Sequence, residues 1–202
     1  MSSHHFVKEQ QEPALLILET TDIKFKQVAD LLEWAPSVIV TQNTVFKALS
    51  WGIKVDLILA DPTFQSGNQQ LLEEQYPVKF LSSPKESFLQ SGLNYLVSSG
   101  HHAVNIIQWD HQKAGHLEAY LGTLDLVFFD GPIRYFPAKN GQINKWFPKG
   151  PIQLHGEEGQ FIEIQMADRS EVISLKHATF IELEEGGVWL KSNRIFWVGA
   201  FF

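Results

Sequence analysis

Three apolar runs of this sequence end in carboxylate or amide side chains, the groups that bind metal ions and phosphates. Asp61 ends the run LILA. The run VIV is followed by Thr41, Gln42 and Asn43, and the run VNII by Gln108, Trp109 and Asp110. In an open parallel sheet, ligands bind outside the carboxyl ends of the strands, so these three strand ends could line one cleft. The alternative is that strand ends are polar because the chain turns into solvent there, and Asp61 before Pro62 suits such a turn. The residues alone favour this second interpretation.

Other patterns associated with catalysis are weak or absent. The chain has no cysteine, which excludes disulfides and thiolate metal sites. It has eight histidines but no His-Glu-x-x-His, and His111 and His116 are five residues apart, off the spacing that shares a helix face. His4 and His5 stand in a start that we expect to be mobile. No Gly-x-Ser-x-Gly elbow is present, and the Gly-rich stretches GEEG and EEGG are acidic, so they predict hairpin turns rather than a phosphate cradle.

The composition is that of a globular protein with an acidic surface. Its 202 residues are 44% hydrophobic, and 16 basic against 23 acidic residues give a net charge of −7. This balance lacks the basic stripe that nucleic-acid binding requires, so we expect no nucleic-acid partner. No apolar stretch has the length of a membrane span, and the start lacks the apolar core of a signal peptide, so we expect a cytoplasmic protein without a membrane partner.

The elements that would position these side chains alternate through residues 1–130. Short apolar runs read as buried strands, and the segments between them have helical spacing, for example residues 22–36 with Asp22 as the cap and Pro36 as the stop. Parallel strands covered on both faces are nearly continuous in apolar residues. The runs of this kind are VIV, LILA, VNII and LVFF. We therefore predict an α/β domain with a mostly parallel, Rossmann-like sheet and crossover helices.

Residues 131–202 differ from the first part in composition and in the pattern of apolar residues. Gly and Pro recur at short intervals, and the alternating segments QFIEIQMA, EVISLKHATFIELE and VWLKSNRIFWVGAFF are separated by turn signals such as AKNG and EEGG. This pattern predicts an antiparallel β-sandwich or half-barrel as a second domain. Trp189 and Trp197 are candidates for a wall against which a flat heterocycle could stack, although core packing accounts for most of the aromatic residues.

Nearly the whole length of the chain resembles the thiamine pyrophosphokinase family. The resemblance rests on VIVTQNTVFKALSWGIKVDLILADPTF, then SPKESFLQSGLNYLVSSG and a strand, then VISLKHATFIEL and KSNRIF. The family has a strand ending in Asp-Gly-Gly, then Pro-Asp, an apolar run and Gly-Asp-Phe-Asp-Ser. Later motifs are Thr-Asp opening a long helix, a glycine-rich turn with Asp-His, and a Ser-Asn near the C-terminus.

The resemblance implies a fold, a reaction and a set of site residues. It implies an α/β domain followed by a β-sandwich, a homodimer, and transfer of a pyrophosphoryl group from ATP to the hydroxyl of thiamine with magnesium. Asp61, supported by Asp56, would act at the phosphates, with Asp61 as the metal ligand. The nucleotide cleft would be lined by Asn43, Asp110 and His111, and thiamine would be oriented by Ser192 and Asn193.

Several positions depart from the family pattern. The third aspartate of the second motif falls on Thr63 and its serine on Phe64, while the Thr-Asp pair falls on Ser87 and Phe88. The Asp-His pair is represented either by Asp110 and His111 or, as Gly-His, by Gly115 and His116. These departures leave two hypotheses open: a thiamine pyrophosphokinase-type enzyme, or a catalytically silent homodimer that binds a ligand or has a structural role.

Overall fold

The computed structural model describes residues 12–21, 23–167, 169–177 and 179–201. The predicted cap Asp22 and the two histidines His4 and His5 lie outside the described residues. The chain divides into two compact units. The first contains the described residues up to Trp109 together with Gly122–Leu126, and the second contains Asp110–Leu121 and the residues from Val127 onward.

The first unit is built on five parallel strands, as the apolar runs VIV, LILA and VNII predicted. They are β1 (Ala14–Ile17), β2 (Val38–Thr41), β3 (Leu57–Ala60), β4 (Lys79–Ser82) and β5 (Ala103–Ile107), in the order β5-β1-β2-β3-β4. The run LVFF instead lies in the strand Asp125–Asp130, which pairs antiparallel with Ile133–Ala138. Every residue of β1, β2 and β3 is buried, which explains why their sequences are continuous in apolar residues instead of alternating.

Short helices connect these strands. They are α1 (Phe25–Ala29), α2 (Val45–Ser50), α3 (Pro62–Gly67), α4 (Gln70–Glu74) and α5 (Phe88–Ser98), with 3₁₀ turns at Asp30–Leu32 and Lys85–Ser87. The helix predicted over residues 22–36 is shorter than expected. Its last turn tightens to 3₁₀, and the helical conformation ends before Pro36 because the residue before a proline is sterically disfavoured in the helical region; Ala35 takes a φ of 50°. No helix in the described part of the chain combines the length and apolar character of a membrane span.

The second unit contains two antiparallel groups of strands. One has the order β12-β9-β14-β7-β6 and the other β11-β10-β13-β8. Their bounds are β6 (Asp125–Asp130), β7 (Ile133–Ala138), β8 (Gln142–Phe147), β9 (Gly150–His155), β10 (Phe161–Gln165), β11 (Ser170–Ser174), β12 (Thr179–Leu183), β13 (Gly186–Lys191) and β14 (Phe196–Phe201). The two longest predicted strand segments each form two strands, since the chain reverses between β11 and β12 and again between β13 and β14.

One core is shared by both groups of strands in the second unit. Ile152 of β9 and Val198 of β14 contribute from one group, and Ile164 of β10 and Leu190 of β13 from the other. The opposite face of β7, β9 and β14 carries a further buried set, which includes Tyr135, Gln153 and Trp197. The segment His111–Tyr120 of the same unit is a 3₁₀ helix rather than an α-helix, with the helix-weakening Gly115 near its centre.

Candidate functional site

Asp61 lies at the carboxyl end of β3, where the sequence placed it. It is the N-cap of α3: its Oδ1 accepts a hydrogen bond of 2.9 Å from the backbone N–H of Phe64, and Pro62 takes the first helical position. Both features are those of a helix start. The turn into a helix is therefore one established role of this aspartate.

Gln42, at the end of β2, fixes the other oxygen of Asp61. Its Nε2 donates to Asp61 Oδ2 at 2.9 Å, and its Oε1 accepts from the backbone N–H of Asp61 at 2.7 Å. The Phe64 N–H and the Gln42 amide are the main reasons that the pKa of Asp61 is lowered, and the charge of Lys85 acts in the same direction. Asp61 is thus an oriented carboxylate that stays ionised at neutral pH, and each of its oxygens keeps a lone pair for a further partner.

Asp61 does not belong to a cluster of three or more metal-ligand side chains among the described residues. Asp56, expected to support it, precedes β3 and accepts from the backbone N–H of Val38 at 2.8 Å. The two aspartates bracket a strand of four residues, and a rise of ~3.3 Å per residue separates them by about 16 Å. Asp56 therefore has a structural role at the opposite end of β3, and we do not propose it as a partner of Asp61.

Asn43 lies beside a carboxylate that the sequence analysis did not select. Its Nδ2 is 3.5 Å from Oε1 of Glu19, an exposed side chain two residues after β1. Two amide side chains therefore follow β2, and each contacts a carboxylate: Gln42 contacts Asp61, and Asn43 contacts Glu19. The signal that could have found Glu19 is the one used for Asp61, an acidic residue at the end of an apolar run.

His111 and Asp130 form a hydrogen-bonded pair in the second unit. Oδ2 of Asp130 accepts from the backbone N–H of His111 at 3.0 Å and lies 2.6 Å from Nδ1 of its ring. The pair comes together because β6 ends at Asp130 and the 3₁₀ segment begins at His111. The side chains are 22% and 29% exposed, so they are held in place and still within reach of a ligand.

Tyr135 supports the ring of His111. The two rings are parallel to within 2° at a centroid distance of 5.5 Å. The tyrosine is itself fixed, because its ring stacks on Phe128 at 4.7 Å and its hydroxyl donates to Oε1 of Gln153 at 2.5 Å. Gly199, which pairs with Tyr135 in the sheet, leaves the space that the tyrosine ring occupies. Burial and the charge of Asp130 raise the pKa of Tyr135, which therefore stays neutral.

His155 lies edge-on to His111, with ring centroids 5.4 Å apart and planes at 83°. Its pKa is lowered, first by burial and then by repulsion from His111, while the charge of Asp110 opposes the shift. A neutral imidazole therefore stands next to the His111–Asp130 pair. The sequence analysis missed Asp130, Tyr135 and His155. Asp130 alone had a signal, since it ends the apolar run DLVFF.

Asp110 precedes His111 and caps the 3₁₀ segment through Oδ1, which accepts from the backbone N–H of Gln112 at 2.9 Å. Its other oxygen pairs with Lys113 at 3.7 Å. Metal-ligand atoms of Asp110, His111 and Asp130 lie within 4.8 Å of one another. Because the short contact between His111 and Asp130 is already a hydrogen bond, we assign no metal to these three residues. The alternative pair Gly115 and His116 lies further along the 3₁₀ segment.

Ser192 and Asn193 lie in the turn between β13 and β14. The hydroxyl of Ser192 donates to the carbonyl of Phe161 at 2.7 Å and accepts from Nε2 of Gln160 at 2.9 Å, so it holds two turns together. Asn193 is exposed and lines a cavity of about 320 Å³. The same cavity is lined by Glu157, Glu158, Phe161 and Arg194, with Arg194 paired to Glu157.

The two candidate tryptophans differ in their accessibility. Trp197 is 1% exposed and packs against Phe128 with ring centroids 5.1 Å apart and planes tilted by 58°, so the prediction of a ligand-facing wall is wrong for this residue. Trp189 is partly exposed, and the ammonium of Lys191 lies 5.4 Å from its ring centroid. Alternation along a strand could not separate these cases, because Trp197 faces a buried side of its sheet.

The comparisons with known proteins agree with the resemblance drawn from the sequence. No protein-family model and no curated protein matches the chain. Among solved structures, thiamine pyrophosphokinase from Bacillus subtilis matches 94% of this chain and 98% of its own, with a TM-score of 0.68 at 10% identity. The enzyme from Geobacillus thermodenitrificans gives 0.69 at 8% identity over 94% and 96%. That from Candida albicans gives 0.59 at 9% identity over 92% and 88%.

Similarity of this extent at such low identity establishes the fold. The chain thus has the fold of the thiamine pyrophosphokinases, which confirms the resemblance first seen in its sequence.

Proposed function

We propose that this chain is a divergent thiamine pyrophosphokinase, which transfers a pyrophosphoryl group from ATP to the hydroxyl of thiamine and releases AMP. The observation that carries the proposal is the fold, shared with thiamine pyrophosphokinases over 94% of the chain. A transfer of this kind needs positioned charges more than covalent chemistry, so a site with substituted residues can retain it.

Asp61 is the residue that would hold the magnesium ion. Mg²⁺ takes oxygen ligands in octahedral geometry and is often bound by one or two carboxylates together with phosphate oxygens. An ionised Asp61, fixed by Gln42 and by the first turn of α3, fits one such ligand position. When bound, the metal would neutralise charge on the phosphates. Lys85, whose charge acts on Asp61, would attract the same phosphates.

The cavity beside Asn193 supports binding of thiamine. Its volume of about 320 Å³ lies at the lower end of the range for small-molecule sites. The lining includes two glutamates and the exposed ring of Phe161, and one of the glutamates, Glu157, is already paired with Arg194. Thiamine carries a positively charged thiazolium, which is attracted by a carboxylate and by the face of an aromatic ring. In this assignment Ser192 shapes the cavity and Asn193 contacts the ligand.

The outer face of the β11-β10-β13-β8 sheet supports a homodimer. Alternate residues on this face include Val172 and Trp146, which are 65% and 57% exposed. Exposed apolar side chains that share one sheet face are typical of a protein interface. We assign a second copy of this chain as the partner, with Val172→Glu expected to shift the species in sedimentation velocity from dimer to monomer. The cytoplasmic location and the lack of a nucleic-acid partner stay predictions from the sequence.

A second function is favoured by one observation. Both oxygens of Asp61 accept hydrogen bonds from the chain itself, and the described residues place no cluster of acids around it. A single carboxylate attracts Mg²⁺–ATP less strongly than several do. The same fold could therefore serve as a homodimer that binds thiamine and has no transferase activity.

Calorimetry and an assay of AMP release separate the two functions. Thiamine, and ATP with and without Mg²⁺, are titrated into the protein, and AMP is measured with both substrates present. Magnesium-dependent ATP binding with thiamine-dependent AMP release supports the enzyme. Asp61→Asn should then abolish turnover, whereas Asp30→Asn, at an exposed position where α1 passes into a 3₁₀ turn, should not. Thiamine binding without ATP binding supports the second function, and no heat from either ligand rejects both.

A further inference from the structure

We propose that Ser37 is a nucleophile that takes up an acyl group from an activated ester, with His101 as its general base and Ser99 as the residue that orients the base. This activity is additional to the proposed transferase function and does not depend on it. Nδ1 of His101 lies 2.9 Å from the hydroxyl oxygen of Ser99, and Nε2 lies 3.1 Å from that of Ser37. A nucleophile in contact with a base, which is itself oriented by a third group, is the arrangement used in nucleophilic catalysis.

The three side chains meet at the amino ends of parallel strands of the first unit. Ser37 directly precedes β2, and His101 stands two residues before β5. Both strands pair with β1, which lies between them, and Ser99 is the C-cap of α5. Asp61 follows the carboxyl end of β3. The group Ser37, His101 and Ser99 therefore lies at the other edge of the parallel strands and is separate from the proposed phosphate site.

The hydrogen bonds of Ser99 determine the tautomer of His101. A serine hydroxyl has one proton, and that of Ser99 points to the backbone carbonyls of Tyr95 at 2.7 Å and Leu96 at 3.2 Å. Toward His101 it is therefore an acceptor, so Nδ1 of the neutral ring carries the proton. The lone pair is on Nε2, and the hydroxyl of Ser37 donates to it. This is the orientation from which a serine proton can pass to a histidine.

Burial keeps His101 in the neutral form that a base requires. The residue is 7% exposed, and the loss of solvation lowers its pKa. Repulsion from His102 acts in the same direction, while the backbone of Leu96 acts against it. Ser37 is partly exposed, so the nucleophile can be reached from solvent while its base is shielded.

The groups at this site match a small, activated acyl donor. Ser37 stands between Pro36 and Val38, which are both buried, so the space beside its hydroxyl suits a short acyl group such as acetyl. An activated ester has a leaving group that departs as a stable anion, and its departure needs no second acid. One histidine is then sufficient, because it has only to accept the proton of the attacking hydroxyl.

The step conserves atoms and charge. The hydroxyl oxygen of Ser37 forms a bond to the carbonyl carbon of the ester while its proton moves to Nε2 of His101. The bond from that carbon to the leaving oxygen then breaks, and the leaving group departs as an anion with the bonding pair. His101 releases the proton to solvent and returns to its neutral tautomer. The product is a protein acylated on Ser37.

Incubation of the wild-type protein with p-nitrophenyl acetate tests the nucleophile. Peptide mass spectrometry measures how fast each serine gains an acetyl group. General-base catalysis contributes roughly 10²–10⁴-fold, so Ser37 should be acetylated at least about 10² times faster than Ser98. Ser98 is the internal control, because it is exposed and its hydroxyl donates to the carbonyl of Tyr95 at 2.9 Å. Equal rates at Ser37 and Ser98 would overturn the inference.

Three variants test the roles of the individual groups. His101→Gln should lower the rate at Ser37 to that of Ser98, and Ser99→Ala should lower it less, because the ring stays but loses the group that orients it. Ser98→Ala is the matched control for Ser99→Ala and should leave the rate at Ser37 unchanged. Circular dichroism during heating verifies that each variant is folded. A folded His101→Gln that is acetylated on Ser37 as fast as the wild type would reject the base. The wild-type comparison of Ser37 with Ser98 decides the question without any variant.

The pH dependence of acetylation identifies the base independently. His101 acts in its neutral form and its pKa is lowered from the usual 6.5, so the wild-type rate at Ser37 should reach half of its plateau below pH 6.5. In His101→Gln the plateau should be lost and the rate should continue to rise with pH, since hydroxide is then the base. Ser99→Ala should shift the midpoint of the profile, which a purely structural role of Ser99 would leave in place. A wild-type profile without a plateau would overturn the inference.

Discussion

Gly199 is the residue whose substitution should most directly disturb the support of His111. A Cβ atom at this position would lie 2.6 Å from Cε1 of Tyr135 and 2.8 Å from Cγ2 of Ile133, closer than real Cβ contacts allow. Tyr135 cannot move away easily, because its ring is stacked on Phe128 and its hydroxyl is bonded to Gln153. Gly199→Ala therefore forces either the ring or the strand to shift.

The expected cost is that of overpacking a buried site. Extra methylenes in a well-packed core cost typically about 1–3 kcal/mol, and the lower chain entropy of alanine in the unfolded state recovers a fraction of this. For a chain of this size, such a loss lowers the melting temperature by roughly 2–10 °C. Circular dichroism during heating measures the melting temperature, and near-ultraviolet dichroism reports the environment of the Tyr135 ring.

Gly187→Ala is the matched control. Gly187 is also a strand glycine, in β13, and no atom lies within 4 Å of the Cβ that would be added. It should be neutral or slightly stabilising. The double variant Gly199→Ala, Tyr135→Leu should lose less unfolding free energy than the two single variants lose together, since the smaller side chain at position 135 relieves the clash. Equal stability of Gly199→Ala and Gly187→Ala would refute the reasoning.

Three further changes test other parts of the structure. Thr44, fully buried, donates to the carbonyl of Ile17, so Thr44→Val should lose about 1–3 kcal/mol in urea unfolding while Thr44→Ser loses less; equal losses would contradict this. Gln160→Ala removes the donor that holds Ser192 and should lower both the melting temperature and thiamine affinity in calorimetry; unchanged values of both would reject its role. The folded-state pKa of Asp61 is lowered, so its ionised form stabilises the fold above the usual value of 3.8 and this contribution is lost as pH falls through the lowered pKa. The stability gap between wild type and Asp61→Ala should therefore shrink in acid, and a gap that does not depend on pH would contradict this.

The sequence by itself determined the order and type of most elements. Continuous apolar runs such as LILA predicted strands buried on both faces. The recurring Gly and Pro and the alternating apolar segments after residue 130 predicted the antiparallel strands that follow. Asp61 and Asp110 could also be selected, because a polar residue at the end of an apolar run stands where a parallel sheet binds ligands, whereas His111 was selected only through the family resemblance. These signals are local, and a single sequence contains them in full.

Only the tertiary structure decided which side chains meet. Asp56 and Asp61 are close in sequence, yet the extended strand between them places them at its opposite ends. Asp130 and His111 are 19 residues apart and lie in hydrogen-bond contact. His155 joins them from a strand later in the chain, and Trp197 packs into the interior although its sequence context resembles that of Trp189. Spacing along a chain fixes the distance between residues only within one regular element. Between elements, the pairing register and the packing of the core set that distance.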